Sequence, residues 1–253
     1  MTILHSSVVA KHYAEFIEDL QTALTAHLSA ATEDSHQRAI FKTCTAAYAS
    51  LHAFAAGDKI LMAAAGISRR CALLASIRQI SLIRVELRRT IVCVLWDAYF
   101  IDHPVEFGEF LKRGGKVIVD DPNTPIASGG CAPTRKFFAY ARERFHDEAV
   151  ALNAVDKLYA LFGALSAEVH AGHGVLHPEG SLALAFDSYD GTIAARIEKE
   201  LRSVLASVVT ISAAIKPGRL GQLDAISRGW FDWLVGGTVS EAISSGTFGI
   251  TRV

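Results

Sequence analysis

Neither sign of charge predominates in this chain. Twenty-five lysines and arginines are set against 26 aspartates and glutamates in 253 residues, a formal net charge of −1. With a pI near 6.8, global electrostatics provide no drive toward nonspecific nucleic-acid binding, leaving only local basic segments for it. Cysteine is scarce: Cys44, Cys71, Cys93 and Cys131 lie far apart and form no Cys-x-x-Cys pair. That excludes a disulfide framework and points to buried, reduced thiols in a cytoplasmic protein. No basic stretch followed by an apolar run opens the chain, so no signal peptide is expected. The most apolar window, Ile91 to Ile101, is too short to cross a bilayer and carries Asp97 at its middle, so no membrane association is expected either. GxGxxG after a strand, GxxxxGK[ST], GxSxG and HExxH are all missing, which removes support for nucleotide-fold and standard hydrolase chemistry. Nothing in the sequence calls for a cofactor.

What is present is apolar and helical. Hydrophobic residues make up 51% and charged residues 20%, and mean hydropathy is +0.27. That balance requires helices buried on more than one face, or a large subunit interface. Val9, Tyr13, Phe16, Ile17, Leu20, Leu24 and Leu28 recur at helical spacing and predict a helix over about 8–31. A second follows with Ile40, Phe41, Cys44, Tyr48, Leu51 and Phe54 on one face, closed by Gly57-Asp58. Ser68 is a candidate cap for a long central helix reaching about Ile101, apolar nearly all round in its second half. His103-Pro104 ends it. Short helices are expected from Val105 to Lys112 and from Pro133 or Thr134 through Phe145, with Asp120 to Pro133 a loop. Longer helices are expected at about 149–171, finished by Gly172 and Gly174, at 192–215 and at 221–235. Lys116-Val117-Ile118-Val119 and Leu182 to Phe186 are the only strand candidates. The pattern is an all-α multi-helix bundle with at most minor β structure, one domain over 1–253.

Three constellations carry candidate chemistry. His170, His173 and His177 concentrate three of the ten histidines in eight residues, at the end of an apolar helix. His170 and His173, at i and i+3, can face one point, and His170 falls on the stripe of Tyr159, Phe162, Ser166 and Val169, read as core-facing. With Asp120 or Asp121 this pair is the weak metal-site candidate, although the spacing matches no established metal motif. The plainer reading of His173 and His177 is a helix end whose dipole favours histidine. The second constellation is Arg84 to Arg89, with Arg88 and Arg89 as candidate anion ligands. An arginine and Asp97 inside a buried helix must find partners, and an inter-helix ion pair is the commoner answer. Arg135, Lys136, Arg142, Arg144 and His146 form a basic helix segment, by default a solvated face. Glu168, Asp97, Trp230 and Trp233 complete the interface or ligand candidates, since aromatics are enriched at interfaces.

Leu87-Arg88-Arg89-Thr90, the run Trp96-Asp97-Ala98-Tyr99-Phe100-Ile101-Asp102-His103-Pro104-Val105-Glu106-Phe107, and Tyr159 followed by Ser166-Ala167-Glu168-Val169-His170-Ala171-Gly172 resemble a group of bacterial helical proteins. That group is distantly similar to the HEPN superfamily of all-α bundles. The resemblance covers about residues 70–215 and implies a HEPN-like core, with helices 8–56 and 221–235 packed on it. It further implies dimerisation and, in some members, metal-independent ribonuclease activity in toxin–antitoxin and antiviral systems. Catalytic members carry an arginine and a histidine separated by four to six residues. Here three residues separate Arg142 from His146, and no arginine lies within seven residues upstream of His170. The expected role is therefore a non-catalytic or ligand-sensing partner or regulatory protein, a homodimer or a subunit for another protein, in a bacterial defence or stress locus. The alternative is a ribonuclease, RNA being its partner, in which His170 is acid or base and Arg88 or Arg89 stabilises the phosphorane. A metal-binding hydrolase built on the histidine cluster is the weaker alternative.

Overall fold

The computed structural model describes Glu18, Thr25 and residues 35–76, 79–112, 134–175 and 191–245, with side chains at 80, 81, 167–175, 191 and 193 left out. Ten helices and no strand occur among the described residues: α1 (Ser35–Ala55), α2 (Lys59–Ser76), α3 (Ile80–Phe100), α4 (Pro104–Lys112), α5 (Thr134–Arg144), α6 (Ala149–Val175), α7 (Gly191–Ile215), α8 (Pro217–Leu220), α9 (Ala225–Val235) and α10 (Gly237–Ser244). The all-α bundle is thus the observed architecture. The expected helix over 8–31, the two strand candidates and the loop at 120–133 lie outside the described residues, apart from helical Glu18 and Thr25.

Cross-chain pairs define the helix directions. His36 meets Glu198 and Asp58 meets Lys216, so α1 and α7 run parallel. Arg84 meets Glu200 and Asp97 meets Lys216, so α3 runs with them. Between α1 and α3, α2 runs the opposite way. It is turned back by Ala56 and Gly57, whose φ values of 39° and 96° are left-handed, a region that glycine enters without cost. Asp58 then caps α2, its Oδ1 accepting from the Ile60 and Leu61 amides at 2.8 and 3.2 Å.

The core forms where these helices meet, around Leu51, Phe54, Leu61, Leu87, Ile91, Leu95, Leu158, Leu205 and Val208, all fully buried. The central element is α7, which packs against α1, α3, α6 and α9. This corrects the expected central helix from Ser68 to Ile101. That stretch is two helices, one ending at Ser76 and the next starting at Ile80, and Ser68 sits in the middle of α2, its Oγ bonded to the Ala64 carbonyl. The break lacks glycine or proline. Ser76 Oγ donates to the Leu73 carbonyl at 2.6 Å and the Gln79 amide to the Leu74 carbonyl at 2.8 Å, so local bonds replace the helical ladder.

Other boundaries follow from familiar signals. Pro104 starts α4 and Pro217 starts α8 after α7 stops. The expected glycine stop of α6 does not occur: the helix continues through Gly172 and Gly174 to Val175. Glycine disfavours a helix by about 1 kcal/mol and does not forbid it. The C-terminal helix expected at 221–235 is α9, which starts later at Ala225, and two short helices that were not expected flank it, α8 before and α10 after. Arg228 ties α10 down: Nε reaches Asp232 at 2.8 Å and Nη2 reaches Ser240 and Ser244 at 2.9 and 2.8 Å.

By length and composition, Ala149–Ser166 of α6 is apolar enough to cross a membrane. In the bundle its one side packs on α3, α5 and α7, while Asn153, Asp156 and Lys157 are exposed on the other.

Candidate functional site

The charges inside α3 find partners on other helices. Buried Arg84 makes a fork to Glu200 of α7, Nε to Oε2 at 3.0 Å and Nη2 to Oε1 at 2.9 Å. Asp97 is 3% exposed. Lys216, just beyond α7, donates to Asp97 Oδ1 at 3.1 Å and to Asp58 Oδ2 at 2.6 Å. Two carboxyls therefore share one ammonium. Burial pushes the Asp97 carboxyl up to about 7, Asp58 adds to the rise, and Lys216 recovers only part of it. At Asp58 burial pulls upward too, but hydrogen bonds from Asp97, Lys216 and the Leu61 amide, with the lysine charge, hold that carboxyl below its ordinary value. These shifts favour protonating Asp97, whose Oδ2 makes no hydrogen bond, before Asp58, the two carboxyls titrating as a coupled pair around one ammonium. These contacts join the α1–α2 turn, α3 and the end of α7. They are the inter-helix ion pairs expected for buried charge.

Arg88 and Arg89 diverge, as neighbours about 100° apart on a helix must. Arg89 is largely exposed and pairs with Glu86 at 3.1 Å, which also receives Arg70 at 3.0 Å. Arg88 is part-buried against α6, its guanidinium carbon 5.1 Å from the Phe162 ring centre. His170 follows Phe162 by two turns of α6, about 12 Å along the axis. The side chains of Glu168, His170 and His173, and all of Asp120, Asp121 and His177, lie outside the described residues. Of the stripe assigned to His170, Tyr159 is the member that lies off the core. Buried positions of α6 are Ala151, Ala154, Val155, Leu158 and Leu165, whereas Tyr159 is 41% exposed. Tyr159 belongs to the flank facing α5, where it meets Phe138 edge-on and carries the Arg142 guanidinium 4.4 Å above its ring.

Arg142 also bonds Asp156 at 2.7 Å, and His146 pairs with Asp147 at 2.8 Å, so these members of the basic segment hold α5 and its surface. No group of three or more metal-ligating side chains occurs among the described residues. Cys44 and Cys71 are buried and Cys93 is part-buried, and burial raises the pKa of each, to about 12 for Cys71 and about 11 for Cys93. Cys131 lies outside the described residues.

One cluster was not singled out from the sequence. Asp102 receives the Tyr140 hydroxyl at 2.7 Å and pairs with Arg144. Beside it, His103 stacks on Tyr99 at 3.9 Å and donates Nδ1–H to the Tyr99 carbonyl at 2.8 Å. The only signal was Asp102-His103 at a helix end before proline. Its partners come from α5, roughly forty residues later, and no spacing announces them.

The aromatic C-terminal candidates are half outside. Trp230 and Trp233 are part-buried and meet edge-to-face at 6.4 Å. Trp233 carries two cations over its ring, Lys42 of α1 at 4.2 Å and Arg202 of α7 at 4.8 Å. Ile226, one turn before Trp230, is 75% exposed. No protein-family model, curated protein or solved structure matches the chain.

Proposed function

We propose that this chain is a non-catalytic or ligand-sensing partner, or regulatory subunit, with a HEPN-like core, acting in the bacterial cytoplasm in a defence or stress system. The observation that carries this reading is what the buried polar groups do. Arg84, Asp97, Asp58 and Lys216 are each engaged by a neighbouring helix, so the groups best suited to chemistry serve as joints. Exposed apolar side chains supply surface for association. Val105 is 79% exposed at the start of α4, with Ile101 and Leu111 exposed near it, while Phe107 and Phe110 turn inward onto Trp96 and Phe100. In this reading that end of the bundle is the dimer face. Light scattering on the purified chain and on Val105→Glu tests the dimer. Robust turnover by purified protein, abolished by His170→Ala, would sink the non-catalytic role.

The ribonuclease reading is favoured by Arg88 alone. Its part-buried guanidinium is held over a ring, with no carboxylate partner among the described residues. An arginine so placed is available to a phosphate. RNA degradation equal in the parent, Arg88→Ala and His170→Ala proteins removes this reading.

A further inference from the structure

The stripe Ile226, Trp230 and Trp233 runs along α9 at i, i+4 and i+7 and stays partly or largely open to solvent. Helix α9 lies on α1 and α7, and these two helices flank the stripe with cations. Lys42 and Arg202 sit over Trp233. Arg38, one turn before Lys42, and Lys199, one turn before Arg202, lie on the same flanks. All four are exposed, and none forms an ion pair among the described residues. The carboxylates beside them in sequence are taken, Glu198 by His36 at 2.8 Å and Glu200 by Arg84 at 2.9 Å. From their heights over one ring, the Lys42 and Arg202 charges are closer than a Debye length of about 10 Å at 0.1 M salt. They repel one another and act as a single positive field, in a chain whose net charge is −1.

We propose that this face docks an acidic amphipathic helix of another protein, its apolar stripe on Ile226 and Trp230 and its carboxylates at Lys42 and Arg202. Charge complementarity selects the occupant. A second copy docked by two-fold symmetry would bring like charges together. A single-stranded nucleic acid needs open aromatic faces for its bases, and Trp233 already carries cations over its ring. The most exposed group is the aliphatic Ile226, which suits an apolar side chain. The spacing of the stripe matches helix-on-helix recognition.

The inference rests on the reading of the chain as a partner protein. The two fail separately: enzymatic turnover would remove that role and leave this surface standing. The test titrates the full chain, followed by tryptophan emission, with a synthetic helix bearing a leucine stripe and glutamate flanks. Its lysine-flanked counterpart, oligouridine and phosphatidylserine vesicles are run in parallel. The acidic helix is expected to bind and to weaken with salt. Lys42→Glu/Arg202→Glu should weaken it at least about tenfold, and Lys42→Gln/Arg202→Gln less, each variant melting as the parent does. Absence of saturable binding by the acidic helix overturns the proposal, as does binding indifferent to both double variants. Tighter binding of oligouridine or vesicles, lost in the same variants, also overturns it.

Discussion

Replacing Asp97 with asparagine tests the raised Asp97 carboxyl at the three-way joint of α3, α7 and the α1–α2 turn. Asparagine keeps the shape: its carbonyl can accept from Lys216 where Oδ1 does, and its amide can donate to Asp58 where a protonated Oδ2 would. What it removes is the titration. Asp97 has a folded pKa of about 7 against an ordinary value of 3.8. The folded state therefore holds its proton more tightly than the unfolded chain. Stability from this group is intact below about pH 4, declines as pH rises, and levels off above about pH 7. At 1.36 kcal/mol for each pH unit, the full decline is about 4 kcal/mol. For a chain of this length that corresponds to roughly 10 °C in Tm. Asp58 works in the opposite sense, because its depressed carboxyl contributes stability above pH 4 that is lost on further acidification. The assay is urea unfolding of parent and variant from pH 4.5 to 8.5. Subtracting the two curves cancels the histidines common to both, and Asp58, held below its ordinary 3.8, titrates below this window. The variant should gain on the parent by several kcal/mol as pH rises through this window and should be the more stable at pH 8. Parallel profiles would refute the proton assignment.

Three further outcomes follow from the same geometry. Glu200→Gln leaves the Arg84 guanidinium buried without its carboxylate and should cost about 2–4 kcal/mol in urea unfolding; a change under about 0.5 kcal/mol would show the pair to be dispensable. Phe231→Ala, which empties the fully buried contact with Phe54 at 5.8 Å, should cost about 3–5 kcal/mol and loosen α9, measured by denaturation and amide exchange. Cys44 and Cys71 should react with a thiol reagent only as fast as the chain opens, so prompt labelling of either in the native protein contradicts their burial.

The helical class and most boundaries were legible from local signals. Pro104, Pro217 and Gly57-Asp58 act on their own backbone and need no tertiary partner, so α4, the end of α7 and the end of α1 fall where expected. The interruption between Ser76 and Ile80 was not legible, since side-chain-to-carbonyl bonds at serine look like any other helical serine in sequence. The candidate site was legible as an obligation more than as an answer. An arginine and Asp97 had to be paired, but Arg89, which shares the Asp97 face, is exposed. The buried arginine is Arg84, and the partners Glu200 and Lys216 lie more than a hundred residues away.

Composition and periodicity alone determined an all-α chain with apolar faces on several helices, because both depend only on neighbours within a few residues. Tertiary structure decided which helix is central, that Arg88 is the one of the arginine pair turned to α6, and that Tyr159 lies on a flank. It also decided that two aspartates converge on one lysine. Those outcomes depend on how helix faces rotate against one another when packed, a long-range balance of burial and charge that no local pattern encodes.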